Sequence, residues 1–300
     1  MSRTRSIGKQ KHGYIGLLYI LPWLLGFCAL QLYPFLLSFI YSFTDLKVAG
    51  DFKFIGLDNY IRLFAKDPDF LNSVTVTLKY VLFVVPGKII CALIVAMILN
   101  MKLRAVNLYR TVYYLPSILG GSVAISALWR VMFMKTGIVN NLTTYLGIPP
   151  INWLGDTKYA LFTISMIEMW QFGSSMVIFL AALKQVPAEL YDSAKVDGAK
   201  RIQVFFKITM PMISTVTFFN ILMQTINALQ NFTAAFVVTK GGPVKSTYLI
   251  GLKLYEDAFS KFSMGYASAQ SWVVFIVIVL FTAIIFKSSS LWVYYNDGGK

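Results

Sequence analysis

Ala267-Ser-Ala-Gln-Ser-Trp272-Val-Val-Phe-Ile-Val-Ile-Val-Leu-Phe-Thr-Ala-Ile-Ile-Phe286 runs for 20 residues without a charge before Lys287 interrupts it. At 1.5 Å per residue such a helix is about 30 Å long, which matches the hydrocarbon thickness of a bilayer. Working outward from this stretch, which reads as a crossing over Ala267–Val293, five more qualify: Tyr14–Tyr41, Val74–Leu99, Tyr109–Met134, Tyr159–Leu183 and Met212–Val237. The first is too long for the apolar core of a signal peptide and has no small-residue cleavage site, so it is expected to stay attached. Pro22, Pro34, Pro86 and Pro116 fall inside these stretches and are expected to soften them. The fold expected is an all-α integral membrane protein with six transmembrane helices.

Composition agrees. Of the 300 residues, 57% are hydrophobic and 13% charged, with mean hydropathy +0.65. Soluble domains carry about 25% charged residues, so this chain has too little charge to cover a water-facing surface. The net charge of +14 does not point to nucleic acid, because the basic residues are dispersed between apolar runs rather than clustered. Cys28, Cys91 and His12 are too few and too far apart for a disulfide framework or a metal site.

The bases instead orient the chain. Fourteen of them (Arg3, Arg5, Lys9, Lys11, Lys102, Arg104, Arg110, Lys184, Lys195, Lys200, Arg201, Lys207, Lys287, Lys300) flank one side against four acids, a net of +10. The other side holds eleven bases and eight acids, a net of +3. The positive-inside rule places the first set in the cytoplasm, with both termini, and turns loops 43–73, 135–158 and 238–266 outward. Domain limits follow: a cytoplasmic tail 1–13, a six-helix region 14–293, and a C-terminal tail 294–300.

The second cytoplasmic loop is the informative one: Lys184-Gln-Val-Pro187-Ala-Glu189-Leu-Tyr191-Asp192-Ser-Ala194-Lys-Val-Asp197-Gly198-Ala199-Lys-Arg-Ile-Gln-Val-Phe205-Phe206-Lys-Ile-Thr-Met-Pro211. Pro187 suits a first helical position and Gly198 a sharp corner. Two short helices meeting at a glycine make either a rigid knob or an interfacial pair lying on headgroups.

Asp192-Ser-Ala194-Lys-Val-Asp197-Gly198-Ala199 with Phe205-Phe206-Lys-Ile-Thr-Met-Pro211 resembles the Glu-Ala-Ala…Gly loop of binding-protein-dependent ABC importer permeases. Ile55-Gly-Leu-Asp58-Asn59-Tyr60, Leu115-Pro116-Ser117, Trp129-Arg130, Thr239-Lys-Gly241-Gly242-Pro243 and Ser263-Met-Gly265-Tyr266 extend the likeness to the carbohydrate-uptake branch, similar to maltose and glycerol-phosphate permeases, over about residues 14 to 293. Asp192-Ser193 stand where the family has Glu-Ala, which keeps the charge on a shorter side chain.

The resemblance implies a type I ABC importer transmembrane domain in a bacterial plasma membrane, with its core at about 72–287 and a coupling loop at 184–211. It implies as partners a second, similar permease, two cytoplasmic ATPases and an external solute-binding protein. Contact with an ATPase would fall on Glu189, Asp192, Ala194, Asp197, Gly198, Ala199 and Phe205. The chain itself is not expected to be an enzyme or to hold a cofactor; ATP and Mg would be bound by the partner ATPases. The nearest approach to a phosphate-binding loop, Gly241-Gly242-Pro243-Val244-Lys245-Ser246-Thr247, has Val before the lysine and a proline that removes an amide.

Polar side chains inside crossings are expensive and are candidates for function. Asn220, Gln224, Asn227 and Asn231 follow i, i+4, i+7, i+11 spacing, which places them on one stripe of a regular helix. They either line a path for a polyhydroxyl solute, since carboxamides both donate and accept, or bind helix to helix. The resemblance favours the path, because Gln224 and Asn231 align with sugar-contacting positions. Glu168, with Trp170 and Gln171 beside it, is expected to meet sugar hydroxyls or to pair with Arg130. Lys88 is expected to rest on backbone carbonyls freed near Pro86-Gly87. The rivals are a permease for another small solute, a secondary transporter, which would need inverted repeats and coupling carboxylates, and a subunit that lines no path.

Overall fold

The computed structural model describes residues 13–47, 52–101 and 104–294. The tails expected at 1–13 and 294–300 lie outside the described residues save Gly13 and Tyr294, and so does Lys102. Among the described residues every regular element is a helix, joined by turns and loops, apart from one isolated bridge between Thr44 and Phe54.

Three helices are each long and apolar enough to cross a membrane: Leu18–Tyr41, Pro68–Asn100 and Met264–Trp292. Three further bent helix pairs bring the number to six if each pair counts as one crossing. Span two begins at Pro68 because Asp67 caps it, accepting from the amides of Asp69 (3.0 Å) and Phe70 (3.2 Å). It then runs unbroken through Pro86 for 33 residues. Span three is Val106–Leu119 and Val123–Met132, bent by 104°; span four is Thr157–Trp170 and Gly173–Gln185, bent by 48°. Span five is Ser214–Leu229, interrupted at 230–232 and resumed over 233–239. Interruptions lie at Gly120-Gly121, Gln171-Phe172 and Gln230–Phe232, and a further bend of 70° at Ile213, two residues after Pro211, joins Arg201–Met212 to Ser214–Leu229.

Span two is the centre of the packing. Tyr80, Val84, Ile89, Ala92, Ala96 and Leu99 are buried against Ile164, Ile167, Met176, Phe179 and Leu183 of span four and Ile213 and Ala228 of span five. Ala92 and Ala96, one turn apart and fully buried, give the small stripe that lets membrane helices approach closely. Span one stands apart. Its hydrophobic window is wholly unburied, and only its second half packs, with Phe35 and Phe39 on Trp272 of span six (ring centroids 4.6 and 4.7 Å).

At the end opposite the 184–211 loop, a charge network holds spans two and six to the 238–266 loop. Lys253, 1% exposed, pairs with Asp67 (2.7 Å) and Asp257 (2.9 Å). Asp257 also takes Lys261 (2.7 Å) and the Gln270 amide, and Asp67 accepts from the Tyr266 hydroxyl. Burial pushes both carboxyls up. The hydrogen bonds from Lys253 and Tyr266 at Asp67, and from Lys261, Lys253 and Gln270 at Asp257, outweigh it, so both lie below the ordinary carboxylate value.

Candidate functional site

Spans three, four and five each leave the helix near mid-length, and the breaks are packed together. Ser117 donates to the Gln171 carbonyl (3.0 Å) and accepts from the Ser174 amide (3.1 Å), so one hydroxyl satisfies backbone groups that the break in span four frees. Gly173 is required here: a Cβ would lie 2.6 Å from the Tyr113 carbonyl oxygen. The Gln171 side chain packs over Gly120 in the same way. At the third break, a Cβ on Gly251 would lie 2.8 Å from the Asn231 carbonyl oxygen. Non-helical backbone at membrane depth is tolerated only inside protein or along a water-filled cavity.

Two residues before the break in span four, Glu168 is held by two other spans. Its Oε2 lies 3.2 Å from the Lys88 ammonium, and its Oε1 accepts from the Asn231 amide at 2.9 Å. The side chains of Lys88 and Glu168 are 8% and 17% exposed. Gly87 packs against Met169, the neighbour of Glu168: a Cβ there would lie 2.8 Å from the tip of the Met169 side chain. Glu168 thus takes Lys88 rather than Arg130, which makes no ion pair among the described residues. Lys88 in turn rests on a carboxylate, not on the carbonyls near Pro86, because the helix does not open there. Asn231 keeps its Oδ1 buried without a partner, an acceptor left over at the meeting point of three spans.

The four amides do not share one environment. Asn220, 1% exposed, bonds back to the Val216 carbonyl of its own helix (3.1 Å), and Gln224 donates to Ser175 of span four (3.1 Å). Asn227 is exposed, and Asn231 leaves the helix at the break, which is how it reaches Glu168. The regular stripe therefore stops at Leu229. Gln171 is buried, while Trp170 is 38% exposed with its ring 6.0 Å from Trp129.

Beside the third break Phe232 stacks on Phe236 (5.0 Å) and lies 4.8 Å from Tyr255, which continues to Phe259 (5.2 Å). Sequence reasoning passed over Tyr255, Phe259 and Ser175, and met Ser117 only as part of the Leu115-Pro116-Ser117 segment. The i, i+4 aromatic pair at 255 and 259 was the one available signal. Among the described residues no group of three His, Cys, Asp or Glu is placed to hold a metal ion.

The 184–211 segment forms Ala188–Val196, then Arg201–Val204 continuing to Met212. Gly198 has φ +70°, and around it the Ala199 amide bonds to the Ala194 carbonyl (2.9 Å) and the Gly198 amide to Lys195 (3.1 Å), which is a Schellman C-cap. A Cβ there would meet nothing within 4 Å, so the glycine is needed for its backbone and not for space. Gln203 accepts from the Lys200 amide and starts the second helix (2.8 Å). Ala194 is buried, Ala199 and Phe205 are half-buried, and Glu189, Asp192 and Asp197 are exposed. Val196 (89%), Ile202 (61%) and Phe206 (63%) form an apolar edge of this loop. Val196 is absent from the residues singled out in the sequence.

Residues 62–298 match the family model described as binding-protein-dependent transport system inner membrane component. The probable ABC transporter permease protein YesP of Bacillus subtilis is 44% identical over 99% of this chain and 96% of its own length. The lactose transport system permease protein LacF of Rhizobium radiobacter is 33% identical, covering 95% and 97% respectively. The arabinooligosaccharides transport system permease protein AraP of Bacillus subtilis is 31% identical over 91% and 87%. In fold the chain is similar to the crystal structure of a bacterial alginate ABC transporter in complex with alginate pentasaccharide-bound periplasmic protein, with TM-score 0.79 at 21% identity over 93% of this chain and 95% of that chain.

Proposed function

The chain belongs to the binding-protein-dependent transport system inner membrane component family, and from that premise we propose that it is the permease subunit of an ATP-driven importer for a sugar or oligosaccharide, forming half of the path. Relatives named for lactose and for arabinooligosaccharides support the substrate class. The observation that carries the reading is the meeting of Glu168, Lys88 and Asn231 at adjoining helix breaks. A neutral polyhydroxyl solute suits such a place, because Lys88 already neutralises Glu168 and a net charge is neither offered nor demanded. A hydroxyl can donate to the unpartnered Asn231 Oδ1 and exchange with the Gln224–Ser175 bond, since it is donor and acceptor at once. Asn227, Trp170 and Gln171 flank the same level, and Phe232, Phe236 and Tyr255 offer ring faces to a sugar.

An external solute-binding protein delivers the solute, and a second permease completes the path; span one, with its unburied window, is the face offered to that partner. Two ATPases bind and hydrolyse ATP with Mg below the 184–211 loop, docking on its apolar edge and on Glu189, Asp192, Asp197 and the Gly198 corner. The loop and both termini lie in the cytoplasm, as the base asymmetry of +10 against +3 argues.

The test is Gln224→Ala and Asn231→Ala in the assembled transporter, scoring complex yield and sugar-stimulated ATPase separately. Losing one hydrogen bond to a solute costs about 0.5–1.5 kcal/mol, so each variant is expected to raise the sugar concentration needed for half-stimulation by up to about tenfold at normal yield. Poor yield with unchanged sugar dependence would leave these amides as packing groups and retire the path.

A further inference from the structure

Away from the helix breaks, spans two and four part at the end opposite the 184–211 loop, leaving a groove of about 390 Å³ roofed by Val244, Lys245 and Ser246. The two helices present the same pair of residues to it: Lys79 and Phe83 on span two, Lys158 and Phe162 on span four. In each helix the phenylalanine lies four residues further into the crossing than the lysine, about 6 Å deeper. Phe83 and Phe162 meet edge to face (6.3 Å) and are 45% and 42% exposed, with Val76 and Leu161 completing an apolar wall.

Above that wall the groove is cationic. Lys79 and Lys158 are exposed and make no ion pair among the described residues. Lys158 lies over the Tyr159 ring (5.5 Å), and the neighbouring Asp156 carboxylate is spent on the Lys158 backbone amide (2.8 Å). Lys245 is held by Asp69 (2.6 Å), and the Ser246 hydroxyl is buried with no hydrogen-bond partner.

We propose that this groove binds an anionic phospholipid of the adjoining leaflet, its phosphate between Lys79, Lys158 and Ser246 and an acyl chain along Phe83 and Phe162. Amines one turn above exposed aromatic rings match a headgroup above a chain, and basic pockets between membrane helices suit such headgroups.

The test purifies the assembled transporter from nanodiscs of phosphatidylcholine with and without phosphatidylglycerol and counts retained phosphatidylglycerol by native mass spectrometry. Wild type is expected to retain it in preference to phosphatidylcholine. Lys79→Gln with Lys158→Gln is expected to weaken retention on the order of tenfold, with Lys135→Gln as the control that keeps it. Both lysines are exposed, so the double variant keeps its fold, checked by its elution profile. Retention unchanged in the double variant, or lost equally in Lys135→Gln, overturns the proposal. Release of the lipid by millimolar inorganic phosphate would assign the site to a free anion instead. An acidic disaccharide whose stimulation of ATPase needs the two lysines, with no lipid retained, would assign it to the solute.

Discussion

At one end of the molecule Lys253 is 1% exposed and wedged between Asp67 and Asp257, whereas at the other the Lys195–Asp192 pair (2.8 Å) leaves its side chains 77% and 69% exposed. The first end ties loop 238–266 to spans two and six through six side chains, Asp67, Lys253, Asp257, Lys261, Tyr266 and Gln270, whose charges are all paired, while the Gln270 Oε1 is buried without a partner. The second holds its corner with the backbone bonds at Gly198, the Gln203 cap on the Lys200 amide and a Tyr191–Thr209 hydroxyl pair, and leaves Val196, Ile202 and Phe206 in the open. A surface pair is worth about 0–1 kcal/mol, while breaking a buried one costs about 3–5 kcal/mol. The two ends therefore differ in how their charges are held, buried and shared at the first and solvated at the second, while both expose apolar side chains, Phe54 and Val244 at the first and Val196 and Phe206 at the second.

The contrast is broken most severely by Lys253→Met. Asp67 and Asp257 would keep their charges without their shared cation, and a loss of about 3–5 kcal/mol is expected, read as a lower melting temperature and lower yield. The same network sets an acid limit. Because both carboxyls lie below their ordinary value, their contribution is present above the unfolded pKa of about 4 and is lost as pH falls through the folded values. Thermal melting of wild type should thus fall only below about pH 4, and that fall should be blunted in Lys253→Met. An equally stable variant with the same acid profile would mean that the network contributes nothing.

Gly198→Leu comes next. With φ at +70° an L side chain costs about 1–2 kcal/mol, and the corner is expected to rearrange, lowering solute-stimulated ATPase without lowering the melting temperature of the membrane region. Gly198→Asn should retain most of that activity, since asparagine tolerates this backbone and the added atoms meet open space. Equal loss in both variants would point to a contact at Gly198 rather than to its backbone. Smallest of all is Asp192→Ala, which removes an exposed i, i+3 pair. A stability change of no more than about 1 kcal/mol is expected in thermal melts, and a larger one would mean that the two ends do not differ as argued.

Much of this was readable in the residues. Uncharged runs such as Ala267–Phe286 set the crossings to within a few residues, because the bilayer imposes a length on any helix that spans it. Gly198 could be placed at a helix end because a left-handed cap is a local requirement. The prolines were an uneven guide: Pro86 sits in an unbroken helix and Pro211 lies beside the 70° bend at Ile213, while glycine and amide residues mark the other breaks, where neighbouring spans supply partners for the freed backbone. The amide stripe of span five could not be resolved beyond Leu229, since its geometry assumes a helix that ends there.

Crossing number, base asymmetry and the corner at Gly198 are properties of short windows, and the sequence by itself determined them. Lys88 and Glu168 are 80 positions apart, and Asp67 and Lys253 much farther; only the tertiary structure decided that they meet. The reason is physical. A charge inside or against the bilayer takes whichever partner packing brings within reach, and here that depended on span two packing along span four and on the cap at Asp67 facing the loop that carries Lys253.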